Sequence, residues 1–162
     1  MDHRHVSTAP GESAPFHFDN LWRVNASPAA VWQVLTRVEA WPRWWPGLPV
    51  AEPADDTVAP GSRAHLLVTS PIGLSLDFDI ELRDIRTERF AAFTATGDLR
   101  GVGEWSLSRN GPITTIESTW CVTTTRRSIR LLRPLAARLH DSVMRAGERG
   151  LAAHLAQEPQ RP

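Results

Sequence analysis

The sequence predicts an α+β fold in which a curved antiparallel β-sheet wraps one long C-terminal α-helix. Three patterns carry that prediction. Residues 74–82 alternate strictly, so Leu74, Leu76, Phe78, Ile80 and Leu82 share a dry face while Asp77, Asp79 and Glu81 share a wet one. Toward the C-terminus, Leu135, Leu139, Val143, Ala146, Gly147, Gly150 and Leu151 fall on one half of a helix, and Arg138, Asp141, Arg145, Glu148 and Arg149 on the other. The order along the chain is a strand, short helices, further strands and then this helix, with no internal repeat.

Each element has a local cause. Phe16, Phe18, Trp22 and Val24 alternate with His17, Asp19 and Arg23, which gives a first strand. Ser27 caps a helix, and Pro28 fits its first turn, where no amide hydrogen is needed. Val31, Val34, Leu35 and Val38 recur at helical spacing. Pro42 and Pro46 then prevent a long helix, so Trp41, Trp44 and Trp45 occupy a short bent segment. Such a segment either seals a core or walls a pocket. Pro53–Gly61 reads as a turn region, Ser62–Ser70 as a strand and Pro71–Gly73 as a turn. More strands are expected at 89–96, 99–108 and 113–124, with Asn110–Gly111 as the hairpin turn between the last two. Pro134 marks the first turn of the final helix, or a kink after a lead-in from Ser128. Residues 1–14 and 157–162 read as disordered tails, leaving one domain over 15–156. His3 and His5 sit in the first tail, without a fixed geometry for a metal.

Composition narrows the function. A chain of 162 residues suits one domain, and 41% hydrophobic with 22% charged residues suits a globular one. Its 18 basic and 18 acidic side chains cancel, which argues against a nucleic-acid partner. No apolar run reaches the ~20 residues of a membrane span, and residues 1–15 lack the apolar core of a signal peptide. Cytoplasmic residence is the expectation, and the single Cys121 fits it. There is no lysine and no tyrosine, so a Schiff-base lysine or a tyrosine acid is excluded. No metal-ligand spacing, phosphate loop or nucleophile elbow is present, so no metal and no cofactor are expected. A wet convex sheet face suits a monomer or a weak edge-to-edge dimer.

Four stretches together resemble the START-like, or SRPBCC, superfamily in its polyketide cyclase/dehydrase-like branch. They are SPAAVWQVLTRVEAWPRWWPG at 27–47, GDLRGVGEW at 97–105, TTIESTWCVTT at 114–124 and HDSVMRAGERGL at 140–151. The likeness implies a helix-grip fold, with an apolar cavity between the sheet and the long helix. Members of the superfamily include cyclases, lipid carriers and hormone receptors, so the likeness does not fix the activity. Aromatic polyketide cyclases of this fold place Arg and Tyr side chains in the cavity, and a chain without tyrosine departs from that pattern.

If a cavity exists, its candidate ligand-binding residues are Trp45, His65, Phe78, Gly101, Gly103, Trp105, Ser118, Trp120 and Met144, with His140 as the candidate catalytic group. Gly101 and Gly103 alternate with bulky neighbours, either to let the strand bend or to leave volume for a ligand. Trp105 and Trp120 fall on inward faces, with Ser118 two residues before Trp120, and serve as core or as flat apolar walls. His140 lies at the edge of the apolar arc near Met144, either as a satisfied structural histidine or as a polar anchor and proton carrier. The facing of His65 is open, since Ala64, Leu66 and Val68 or His65, Leu67 and Thr69 both make plausible inner sets. Three functions compete: a binder of a hydrophobic small molecule of polyketide, lipid or isoprenoid type; a cyclase/dehydrase-type enzyme using cavity shape plus His140; and a protein with a closed core.

Overall fold

The computed structural model describes residues 6–158, so His3 and His5 lie outside the described residues. β1 (Phe16–Val24) leads into α1 (Pro28–Thr36), a 3-10 turn at Val38–Ala40 and the one-turn helix α2 (Trp41–Trp44). Then come β2 (Val50–Pro53), β3 (Arg63–Thr69), β4 (Ser75–Arg86), β5 (Phe90–Gly97), β6 (Arg100–Asn110) and β7 (Ile113–Thr123). Two helices finish the fold, α3 (Arg127–Leu131) and α4 (Arg133–Gln157).

The strands form one antiparallel sheet in the order β1-β7-β6-β5-β4-β3-β2. β2 to β7 make a meander of local connections, and β1 alone pairs with a strand distant in sequence, placing Phe16 opposite Val122 and Val24 opposite Thr114. The curved sheet and the long helix are the helix-grip arrangement. Ser27 does cap α1, its hydroxyl accepting from the Ala30 amide. Gly111 takes the positive φ that the tight β6–β7 turn needs. β2 was not read from the sequence, because four residues with Ala51 as the only buried side chain leave almost no alternation.

The dry face of β4 continues beyond Leu82. A bulge at Arg83 shifts the pairing, so Leu82 faces Phe93 while Asp84 faces Ala92, and Ile85 rejoins the inner surface. The inner set of β3 is Ala64, Leu66 and Val68, since Ala64 and Leu66 are buried and Val68 packs on the core.

Within the stretch expected to be a loose leader, residues 12–14 are held in place. Both oxygens of Glu12 accept from Arg100 at 2.6 Å, which pulls the Glu12 carboxyl down to about 2. The buried Ser13 and Thr124 exchange two bonds, and Arg133 donates to the carbonyls of Ala14 and Pro15. At the other end α4 runs through Gln157, one residue into the expected tail.

α4 is amphipathic as expected along most of its length, with Met144, Gly147 and Leu151 buried. Leu135 is the exception. It was placed on the apolar half, yet it is 43% exposed, because the face turned to the cavity runs through Ala136, His140 and Val143 and leaves Leu135 at its flank.

Candidate functional site

The bent tryptophan segment both seals and walls. Gly147 and Gly150 let it lie directly on α4: a Cβ at Gly150 would fall on the Trp44 carbonyl, and one at Gly147 would meet the rings of Trp45 and Trp22. The Trp45 indole donates to the Val143 carbonyl at 2.9 Å, and Trp41 to the Leu35 carbonyl at 3.1 Å. The indole N–H groups of Trp22, Trp44 and Trp105 are buried without a hydrogen-bond partner among the described residues. Trp22 meets the rings of Trp45 and Trp105 edge-on, at 68° and 63°. That edge-to-face packing suits the ring quadrupoles.

Beyond this seal lies a cavity of about 170 Å³ between the sheet and α4. Trp41 and Trp45 wall its sealed end, Phe78 and Trp120 line the sheet side, and Val143 and Met144 the helix side. Phe16, Ile129, Leu132 and Ala136 surround its other end. Among the described residues, Ser70 and His140 are the lining residues with conventional polar side chains, and no arginine borders the cavity.

His140 is stacked on Phe18, with centroids 4.1 Å apart and planes 9° from parallel. Asn20 Nδ2 lies 3.3 Å from His140 Nδ1 and donates to it. The neutral ring therefore carries its proton on Nε2. Burial pushes its pKa down to about 4, against a smaller upward pull from Asp141. At neutral pH the ring is uncharged. It can offer one N–H to an acceptor on a bound molecule, but it is a weak proton acceptor there.

Of the residues expected from the sequence, Trp45, Phe78, Trp105, Trp120, Met144 and His140 border the cavity. Four other expected residues do not. His65 faces outward, where Asp79 and Asp77 hold it at 2.8 and 3.4 Å and raise its pKa, chiefly through the Asp79 hydrogen bond. A side chain at Gly101 would collide with the β7 backbone at Cys121, so that glycine serves close strand packing. The space above Gly103 is filled by the rings of Phe93 and Trp120, so it leaves no volume for a ligand. Ser118 is inward but shut away from the cavity, its hydroxyl buried and unpaired. Asn20 and Phe18 were missed as site residues. Their signal is in β1, where Asn20 is the one polar side chain in the inward register Phe16, Phe18, Asn20, Trp22, Val24.

A second hollow of about 380 Å³ lies under the loop between β2 and β3. It shares Trp41, Ile80, Phe93 and Trp105 with the first, so these four side chains form a partition. The Trp41 and Trp105 rings within it are stacked at 6.2 Å and 10°. The second hollow has a charged rim that includes Arg37, Glu39, Asp55, Asp56 and Arg63. Among the described residues no three His, Cys, Asp or Glu side chains are placed to hold a metal ion, and no helix is long and apolar enough to cross a membrane.

Solved structures share this fold at low identity. The Zhui aromatase/cyclase from Streptomyces sp. R1128 superposes with a TM-score of 0.73 at 16% identity, over 89% of this chain and 95% of that one. A START superfamily protein from Mycobacterium smegmatis gives 0.71 at 16% identity, over 87% and 97%. The di-domain aromatase/cyclase BexL from the BE-7585A biosynthetic pathway gives 0.70 at 16%, over 90% of this chain and 51% of that one, so this chain spans about half of its length. No curated protein matches this chain. The family model for polyketide cyclase/dehydrase and lipid transport matches residues 16–156, from the first strand to the end of α4, and the chain belongs to that family.

Proposed function

We propose that the protein binds a hydrophobic small molecule, of polyketide, lipid or isoprenoid type, in the cavity between the sheet and α4. The lining carries this reading: aliphatic and aromatic side chains throughout, relieved by Ser70 and by a neutral His140 that offers a single N–H. At about 170 Å³ the space is below the ~300 Å³ of drug-sized pockets. A slim ligand such as one acyl chain fits best, and a bulkier one leaves part of itself outside. The test is a panel of fatty acids, isoprenoid alcohols and aromatic polyketides, read by tryptophan fluorescence and melting temperature. A shift in both with one class supports the reading, and no shift with any class refutes it.

A cyclase/dehydrase-type activity is the second reading. The family description and the position of His140 at the cavity wall favour it. Against it stand a lining without arginine or tyrosine and a histidine whose pKa of about 4 is poorly matched to proton transfer near neutral pH. An unchanged product profile in His140→Ala would remove its basis.

A further inference from the structure

Around the α3 end of the cavity the surface changes character. Residues 126–138 hold five arginines, Arg126, Arg127, Arg130, Arg133 and Arg138, and no acidic residue, in a chain whose net charge is zero. Arg126 is engaged by Asp98, and Arg133 by the Ala14 and Pro15 carbonyls and the Phe16 ring. Arg127, Arg130 and Arg138 are exposed and have no ion pair among the described residues. Between them stand bare aliphatic side chains: Leu131 is 81% exposed and Leu135 43%. Ile72, at the tip of the β3–β4 turn, is 60% exposed. These groups belong to one place. Leu132 and Ala136 border the cavity beside Leu131 and Leu135, as do Ser70 and Leu74 beside Ile72. Leu74 also packs with Ile129 and Ala136 in one apolar cluster.

We infer that this face docks on an anionic membrane surface, with Leu131, Leu135 and Ile72 entering the headgroup boundary and Arg127, Arg130 and Arg138 meeting lipid phosphates. Aliphatic side chains set among unpaired cations, on a short amphipathic segment without a carboxylate, are the features that partition into such an interface. A soluble acidic partner would use the arginines but gives no reason for leucines this bare. Docking in this pose turns the α3 end of the cavity toward the acyl region, so a hydrophobic ligand entering there passes between bilayer and cavity without crossing water. That exchange step rests on the ligand-binding reading above, whereas the docking step does not.

Flotation of the empty protein tests docking directly. The probes are vesicles of phosphatidylcholine alone and of phosphatidylcholine mixed with phosphatidylglycerol in equal parts. The wild type is expected to float with the mixed vesicles, not with the neutral ones, and to be released by high salt. Leu131→Ser with Leu135→Ser, and separately Arg127→Gln with Arg130→Gln, should each weaken partitioning by about tenfold or more. All four positions are exposed, so an unchanged melting temperature will show that the variants fold. Failure of the wild type to float overturns docking, whatever the ligand panel shows. If the leucine pair leaves flotation intact while the arginine pair abolishes binding to polyglutamate, the face is a site for an acidic protein and the inference is wrong. Sedimentation as a dimer that the leucine pair separates would likewise assign the face to a second copy of this chain.

Discussion

The two ends of α4 meet the rest of the protein in opposite ways. Its C-terminal half presents Gly147 and Gly150, and the absent side chains let the Trp44 backbone and the Trp45 and Trp22 rings close onto the helix. Its N-terminal end and the preceding α3 present Leu131 and Leu135, large apolar side chains with little above them. Small residues buried under tryptophans make a seal, and large residues facing water make a mouth. The cavity lies between them, and the difference indicates which end a ligand uses.

Breaking the seal should have the largest effect. In an exposed helix, Gly→Ala stabilises by about 1 kcal/mol. At Gly150 the sign should reverse, because the new methyl falls on the Trp44 carbonyl, a backbone atom that cannot swing aside. Urea unfolding of Gly150→Leu should show no cooperative transition, and Gly150→Ala a loss of about 3 kcal/mol. Removing the partition comes next. Trp41→Ala should cost about 3–5 kcal/mol and join the two hollows, so that the longest acyl chain retained increases, as read by mass spectrometry of loaded protein. Unchanged chain-length preference would show that Trp41 does not limit the ligand.

His140 sets the third effect, through pH. Its folded pKa of about 4 lies below the ordinary 6.5, so between those values the unfolded chain binds more protons and stability rises with pH. The contribution is complete above about pH 6.5 and is lost as pH falls toward 4, amounting to about 3 kcal/mol. Replacing the ring by His140→Phe should flatten that slope. His65, whose pKa is raised by Asp79, acts in the opposite direction. Whatever it contributes is present below pH 6.5 and fades as pH rises through its raised value. The smallest effect belongs to the mouth, where Leu131→Ser with Leu135→Ser should change unfolding free energy by no more than about 0.5 kcal/mol. A large loss there would mean these leucines are packed and that the two ends of the helix do not differ.

The seal was more legible in the sequence than the mouth or the cavity. Pro42 and Pro46 bracket the indoles, and Gly147 and Gly150 sit on the apolar half of the final helix, so both partners of the interlock announce themselves locally. Alternation likewise placed Phe78, Trp105 and Trp120 on the inner surface. It could not orient β3, because Ala64–Leu66–Val68 and His65–Leu67–Thr69 are nearly equal in hydrophobicity, and pairing with Asp79 decides the choice. Nor could it tell an empty inward position from a filled one. Gly103 looks like vacant volume until Phe93, from the neighbouring strand, is seen lying over it. Leu135 misled for a related reason: periodicity gives an apolar half of a helix but not which part of that half is covered, here the part through Ala136, His140 and Val143. Asn20 needed its distant partner His140 before its place in β1 had meaning.

The central claim is that the cavity holds an apolar ligand admitted at the α3 end. Native mass spectrometry of protein purified from its own host, beside the mouth-filling variant Ala136→Trp, tests it most directly. The account predicts that the wild type carries an extractable hydrophobic compound at one per chain and that the variant, folded equally well, is empty. A wild type that stays empty even after incubation with fatty acids, or a variant that loads as fully as the wild type, would contradict it.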